Sequence, residues 1–205
     1  VVYQVEIEEP AVRVLEARFP RAQRFRDVRQ AASLPRVDLI AGGFPCQDLS
    51  SANSSGAGLD GERSGLWREY ARIIGESRPR WVLIENVPGL LSRRKGADGR
   101  RVLGDLAALG YDAEWDVVSA ASVGAPHLRE RVWIVAWDER PVESWERGVA
   151  RALTKEAAAA RRAQGERRSH RLSGIGNGVV PQIAEFITRR IILADQLFGG
   201  TTDEV

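Results

Sequence analysis

The stretch Val37-Asp38-Leu39-Ile40-Ala41-Gly42-Gly43-Phe44-Pro45-Cys46-Gln47-Asp48-Leu49-Ser50 decides how this chain is read. Its first five residues are a short apolar run rather than an alternating one, which predicts a strand buried on both faces, as in a parallel sheet. Gly42 and Gly43 break the run. Residues 44–63 that follow are rich in Gly, Ser and Asn and form a long loop, a type that is often functional in compact domains. A cysteine in a Gly/Pro-framed loop beyond a strand's carboxyl end is placed to attack a substrate. A lone cysteine also reads as a small buried hydrophobe, and this stretch alone leaves both open.

Outward from that strand the chain alternates. Residues 1–7 are a β-branched run that predicts a strand. Pro10 suits a first helical turn, and Val12, Leu15 and Phe19 share one face of a helix over 11–19. A helix over 65–77 sets Leu66, Tyr70, Ile73 and Ile74 on one side. Trp81-Val82-Leu83-Ile84 is a second buried strand, and a helix over 101–109 closes at Gly110. Strands over 113–119 and 131–137 follow, then a polar helix over 141–163 and an amphipathic one over 182–198. The alternation predicts an α/β chain with a doubly wound, mostly parallel sheet. Ligands of such sheets bind beyond the carboxyl ends of the strands, so the residues there are the ones to inspect.

The chain has 205 residues, enough for one domain at about 150 per domain, and its 43% hydrophobic content allows a sizeable core. Disordered, collagenous and disulfide-stapled classes are excluded. No apolar run approaches the ~18 residues of a membrane span and no signal peptide opens the chain, so the expected location is the cytoplasm. Cys46, the single cysteine, has no partner for an internal disulfide. Lysine occurs only at Lys95 and Lys155, so 28 of the 30 basic residues are arginine, against 28 acids. Arginine forks suit phosphate, and arginine codons also suit a GC-rich genome. Methionine is absent and the first residue is Val1.

Beyond the second buried strand comes Glu85-Asn86-Val87-Pro88. A carboxylate directly after four large apolar residues is expected to be partly buried, which raises its pKa toward proton sharing near neutral pH. A capping or salt-bridged glutamate would fit the same position. Consecutive parallel strands tend to be neighbours, so Cys46 and Glu85 are expected to face one crevice.

Four ordered segments carry a resemblance. These are residues 43–50, Glu85-Asn86-Val87, Arg129-Glu130-Arg131, and Gly176-Asn177-Gly178-Val179-Val180-Pro181-Gln182. Together they resemble the signature set of the DNA (cytosine-5) methyltransferases, over roughly residues 4–137 and 172–190. The brevity is similar to phage-encoded members. The resemblance implies a Rossmann-like, S-adenosylmethionine-dependent fold, no metal, and a part in restriction-modification or phage self-protection. It casts Cys46 as the nucleophile that adds to C6 of cytosine, and Glu85 as the group that holds N3 and the exocyclic amine. Arg129 and Arg131 would contact the base carbonyl and order the glutamate, although alone they read as surface charges before a strand. A base inside a duplex exposes no C6, so double-stranded DNA is the implied partner and the target is flipped out. The loop after Cys46 would close over it, with Gln47, Ser50, Ser51 and Asn53 on the DNA. His127 stands where the family usually has glutamine. A protease-like Cys46–His127 pair is the other thiol chemistry that the residues allow.

For the cofactor, the resemblance assigns Glu6 to the ribose, Ile7 to packing on the adenine, and the pair Asp27 and Val28 to the adenine amine. Pro45, Leu66 and Asn177 would lie near the methionine moiety. In such folds the ribose acid follows a glycine-rich turn by ~20 residues. Only five residues precede Glu6, so the family's first strand and its Phe-x-Gly-x-Gly turn are expected to be missing from the sheet, between the strands that end near Glu6 and Ala41. The chain is therefore expected to be a truncated methyltransferase that binds cofactor weakly. The expected divisions are a catalytic core over 1–137, a short variable segment over 138–171 in place of a target recognition domain, and a return to the core over 172–205. The variable segment reads as a solvated helix or as an arginine-bearing phosphate contact. The alternative function is an inactive methyltransferase-like module that binds nucleic acid or a partner.

Overall fold

The computed structural model describes residues 1–45, 66–125, 127–138, 183–185, 187–189 and 191–192. The expected helix over 141–163 lies outside them, as do Cys46, Gln47, Ser50, Ser51, Asn53, Asn177 and the segment 176–182.

The elements run β1 (Tyr3–Val5), α1 (Glu9–Arg18), β2 (Gln23–Phe25), β3 (Leu39–Gly43), α2 (Leu66–Ser77), β4 (Trp81–Asn86), α3 (Gly89–Ser92), α4 (Ala97–Ala108), β5 (Tyr111–Ser119) and β6 (Glu130–Asp138). The strands make two sheets. One is the parallel pair β1–β2; the other has four strands in the order β3-β4-β6-β5. β3 and β4 are parallel, and β6 is antiparallel to both β4 and β5. Three of the four strands therefore run the same way, and β6 alone reverses. This is the mixed α/β arrangement, with a parallel-containing sheet, that the alternation of elements predicts, and it fits the Rossmann-like fold that the resemblance implies.

Both faces of the larger sheet are covered. Trp81 and Leu83 of β4 and Trp133, Val135 and Trp137 of β6 pack against Ile183, Ile187 and Ile191. The i, i+4, i+8 spacing of those isoleucines puts them on one helical face, and their positions are helical. On the other face Val82, Ile84 and Ile134 pack against Trp67 and Ile74 of α2 and Val102 and Leu106 of α4. A third cluster joins the smaller sheet to the rest, with Tyr3, Val5 and Phe25 against Ile40 and Ile73. Among the described residues, no helix is long and apolar enough to cross a membrane.

Several boundaries differ from the sequence reading. The first strand is only Tyr3–Val5, and the flanking Val1, Val2 and Ile7 are exposed. β2 was not anticipated, because Gln23-Arg24-Phe25 has no β-branched pattern and is strand only through its pairing with β1. α4 begins at Ala97 rather than at residue 101, its first turn lodged against α3. There an added Cβ on Gly99 would sit 3.0 Å from the Leu90 carbonyl, so the absence of a side chain admits the close approach. Gly110 caps α4 with φ +82°, the left-handed position expected of it.

Candidate active site

Strand direction gathers the site at one end of the larger sheet. The carboxyl ends of β3, β4 and β5 lie there, together with the amino end of the reversed strand β6. The four strand ends bring Gly43, Glu85, Ser119 and Arg131 into one neighbourhood.

Alternation then selects a face. Glu85 lies two residues on from Leu83 and so points toward the same side as Leu83 and Trp81. Arg131 precedes Trp133, the register partner of Glu85, by two, which makes it the diagonal same-face neighbour. A long side chain spans that diagonal, and Arg131 Nε lies 3.0 Å from Glu85 Oε1, with the two side chains only 19% and 17% exposed. On the other flank Gly43 is the register partner of Glu85. A Cβ at Gly43 would come within 2.9 Å of the Glu85 carbonyl oxygen and 3.1 Å of Oε2. Gly43 is thus required so that the carboxylate can lie against the β3 backbone.

Burial holds the Glu85 carboxyl above the usual carboxylate range, and the charges of Arg131 and Arg129 and the Arg131 hydrogen bond oppose that rise without cancelling it. Arg129 is pushed below its ordinary value by burial and by the like charge of Arg131, while Glu85 pulls it back. The arrangement is an acid that retains its proton more readily than an exposed glutamate, braced by two cations.

The loop toward Cys46 is anchored just before it. Asn86 is buried and its Nδ2 donates to the Phe44 carbonyl at 3.2 Å, tying the end of β4 to the chain leaving β3. The Phe44 ring packs on Trp67 at 5.2 Å, and Trp67 Nε1 donates to Asp105 Oδ2 at 2.7 Å. Pro45 follows directly. Cys46 itself is outside the described residues, so the expected meeting of thiol and acid stands as a reading of the fold: β3 and β4 are the parallel neighbours it required. The turn after β5 is fastened to the chain leading into β6 by Ser119 Oγ to the Leu128 carbonyl, 2.8 Å, and by the Ala120 amide to the Arg129 carbonyl, 3.1 Å. Between them His127 is half-buried, and its Nδ1 is enclosed with no hydrogen-bond partner among the described residues.

Four of the residues assigned to the cofactor, Glu6, Ile7, Asp27 and Val28, sit at the other sheet. Glu6 follows β1 and Asp27 lies two residues beyond β2, at the carboxyl ends of adjacent parallel strands. This is where such folds receive a nucleoside. The Glu6 carboxylate accepts from the Glu8 amide at 2.8 Å. Asp27 accepts from the Arg29 amide and is ion-paired with the Arg29 guanidinium at 2.7 Å, which draws its carboxyl below the usual range. Ile7 is exposed at the edge of this region, while Val28 packs inward against the third cluster. Leu66 opens α2. The sequence reading missed two members of the site. The lock from Asn86 to Phe44 and the tight fit of Gly43 had a signal only in the Gly-Gly and Glu-Asn pairs, read earlier as a strand break and a motif.

With the geometry in view, the comparisons are consistent with one another. The profile of the C-5 cytosine-specific DNA methylase family matches residues 1–169. The type II methyltransferase M2.BsuMI of Bacillus subtilis (strain 168) is 38% identical over 135 residues, covering 64% of this chain and 34% of the relative. M1.ScrFI of Lactococcus lactis subsp. cremoris is 34% identical over 146 residues, 70% of this chain and 37% of the relative. Among solved structures, a DNA modification methyltransferase encoded within an E. coli prophage superposes with a TM-score of 0.54 at 26% identity, covering 68% of this chain and 40% of the other. A Spodoptera frugiperda DNMT2 variant, at 19% identity and a TM-score of 0.53 over 71% of this chain and 44% of the other, shares the fold. The chain thus spans little more than a third of the length of these curated relatives.

Proposed function

The chain belongs to the C-5 cytosine-specific DNA methylase family, and on that premise we propose that it is the catalytic part of an enzyme that methylates C5 of a flipped-out cytosine in double-stranded DNA. The observation that supports this most is the acid at the end of β4 whose pKa burial raises and whose carboxyl an arginine holds. Glu85 is largely shielded from solvent, raised in pKa, and braced by Arg131 at 3.0 Å, next to the anchored segment that leads to Cys46.

In this reading the Cys46 thiolate forms a bond to C6 of the ring. The electron pair of the C5–C6 double bond then makes C5 nucleophilic. Glu85, as the protonated acid, donates to N3 and accepts from the exocyclic amine, so negative charge does not build on the ring. Arg131 keeps that carboxyl aimed, and Arg129 faces the base carbonyl. S-adenosylmethionine supplies the electrophilic methyl group. Once C5 carries it, a base takes the C5 proton, the double bond re-forms and the thiolate leaves. Glu6 and Asp27, at the ends of β1 and β2, suit the hydroxyl and amine groups of a nucleoside, and Pro45, Leu66 and Asn177 would flank the methionine end. Gln47, Ser50, Ser51 and Asn53 would meet the DNA on the loop after Cys46. Localisation in the cytoplasm accords with the bacterial relatives.

The test is a duplex carrying 5-fluorocytosine, incubated with the chain and S-adenosylmethionine. A denaturant-resistant adduct that vanishes in Cys46→Ala and falls at least ~100-fold in Glu85→Gln supports the reading, since electrostatic groups of this kind are worth about that much. No adduct under any condition refutes it. The division of the strands into two sheets favours one second reading, a methyltransferase-like module that holds DNA without chemistry. Retarded DNA with no adduct would support that instead.

A further inference from the structure

Eight positions after Glu85 the chain makes an unusual turn. Between α3 and α4, Arg94, Lys95 and Gly96 are all left-handed, with φ of +49°, +57° and +76°. Only glycine adopts that region freely, so two consecutive non-glycine residues there are held by their surroundings. The hold is visible. Arg94 is paired at 3.3 Å with Asp98, a buried carboxylate in the first turn of α4. Arg100 Nη1 donates to the Lys95 carbonyl at 2.7 Å. At Gly96 a Cβ would meet the Leu91 carbonyl at 3.0 Å, so the turn is pressed against α3.

Its charge is equally distinctive. Residues 93–101 carry five cationic side chains and one acid. Of the five, Arg94 pairs with Asp98 and Arg101 lies 4.0 Å from Asp105 of the same helix. Here the one acid is buried beneath the turn, while Lys95 and Arg100 are exposed. The position is also set. α4 runs from this turn to β5, which points the same way as β4, so the turn lies at the end of the sheet that holds Glu85. Leu90 of α3, just before it, is buried in the same cluster as Phe44.

We propose that the turn 93–96, with Arg100, is a preformed contact for the DNA phosphates that flank the flipped base. This rests on the proposed function and adds a phosphate site outside the loop that carries Cys46. A rigid cationic turn beside the base site would fix the register of the backbone without reading sequence. Its binding energy comes from released counterions, so it should show in salt dependence.

The experiment is fluorescence anisotropy of a labelled duplex with the full chain over a series of salt concentrations. Removing two cations in Arg93→Gln/Lys95→Gln should make the slope of log K against log salt shallower by about 1.8, at ~0.9 per phosphate contact. Lys95→Gly suits the left-handed φ, removes one charge, and should reduce the slope by about 0.9, which keeps the test valid should the double variant fold poorly. The charge-preserving Lys95→Arg should leave the slope as in the wild type, as should Arg13→Gln on the distant helix α1. Wild-type slopes in both neutralising variants would overturn the inference while the methyltransferase reading stands. A wild-type chain that binds no DNA at all would instead count against that reading.

Discussion

Replacing Arg131 by glutamine isolates the pair on which the site depends. The Glu85 carboxylate, 17% exposed, would lose its ion pair and hydrogen bond while staying under the same burial. For fully buried pairs, loss of one partner costs about 3–5 kcal/mol, and for exposed ones about 0–1 kcal/mol. This pair lies between, so about 1–3 kcal/mol is expected at pH 8. For a chain of this size that corresponds to a fall in Tm of about 2–12 °C. The pH dependence carries the sharper test. Burial already raises the Glu85 pKa, and Arg131 is the largest influence opposing that rise. A carboxyl whose folded pKa lies above its unfolded value contributes stability at pH below the unfolded value, and this is lost as pH rises through the folded value. Without Arg131 the folded pKa climbs further, so the penalty should be largest at high pH and shrink as pH falls and the acid takes up its proton. Urea unfolding at intervals from pH 5 to 8 measures this directly. In the Glu85→Gln background the same arginine substitution should cost much less, because no charge is left unpaired. A penalty independent of pH, or strict additivity in the double variant, would refute the account of an acid with a raised pKa held by a cation.

Two further outcomes follow from packing. Gly43→Ala places a methyl 2.9 Å from a backbone oxygen that has no free rotation, so a loss of about 1–3 kcal/mol is expected by thermal unfolding, together with a weakened 5-fluorocytosine adduct. Asn86→Leu leaves the Phe44 carbonyl without its buried donor, for about 1–3 kcal/mol, and adduct formation should fall further than stability does because the chain leading to Cys46 loses its tie to β4.

Much of this was legible in the sequence. The apolar run at 81–84 announced β4, and the residue after it is the partly buried acid whose pKa burial raises. The run at 37–41 announced β3, but the strand is Leu39–Gly43: it takes in the two glycines expected to break it, and its last three residues are exposed instead of buried on both faces, because no described strand pairs on its outer edge. Helix spacing predicted α1 and α2, and Gly110 marked the end of α4. β2 was illegible because three mixed residues carry no pattern of their own and become a strand only when β1 supplies hydrogen bonds.

The amino-acid order by itself determined which residues are apolar, with what period, and hence which segments become strands or helices and which face each side chain takes. It also determined the chemistry on offer: a thiol, an acid after a buried strand and two arginines before another. Which strand lies beside which was decided only in three dimensions. β6 runs backwards between β4 and β5, and this brings Arg131 across to Glu85 from 46 positions away in the chain. Periodicity fixes the direction of a side chain but not the identity of its neighbour. Pairing is chosen by the joint burial of both faces of the sheet, and no single segment encodes that choice.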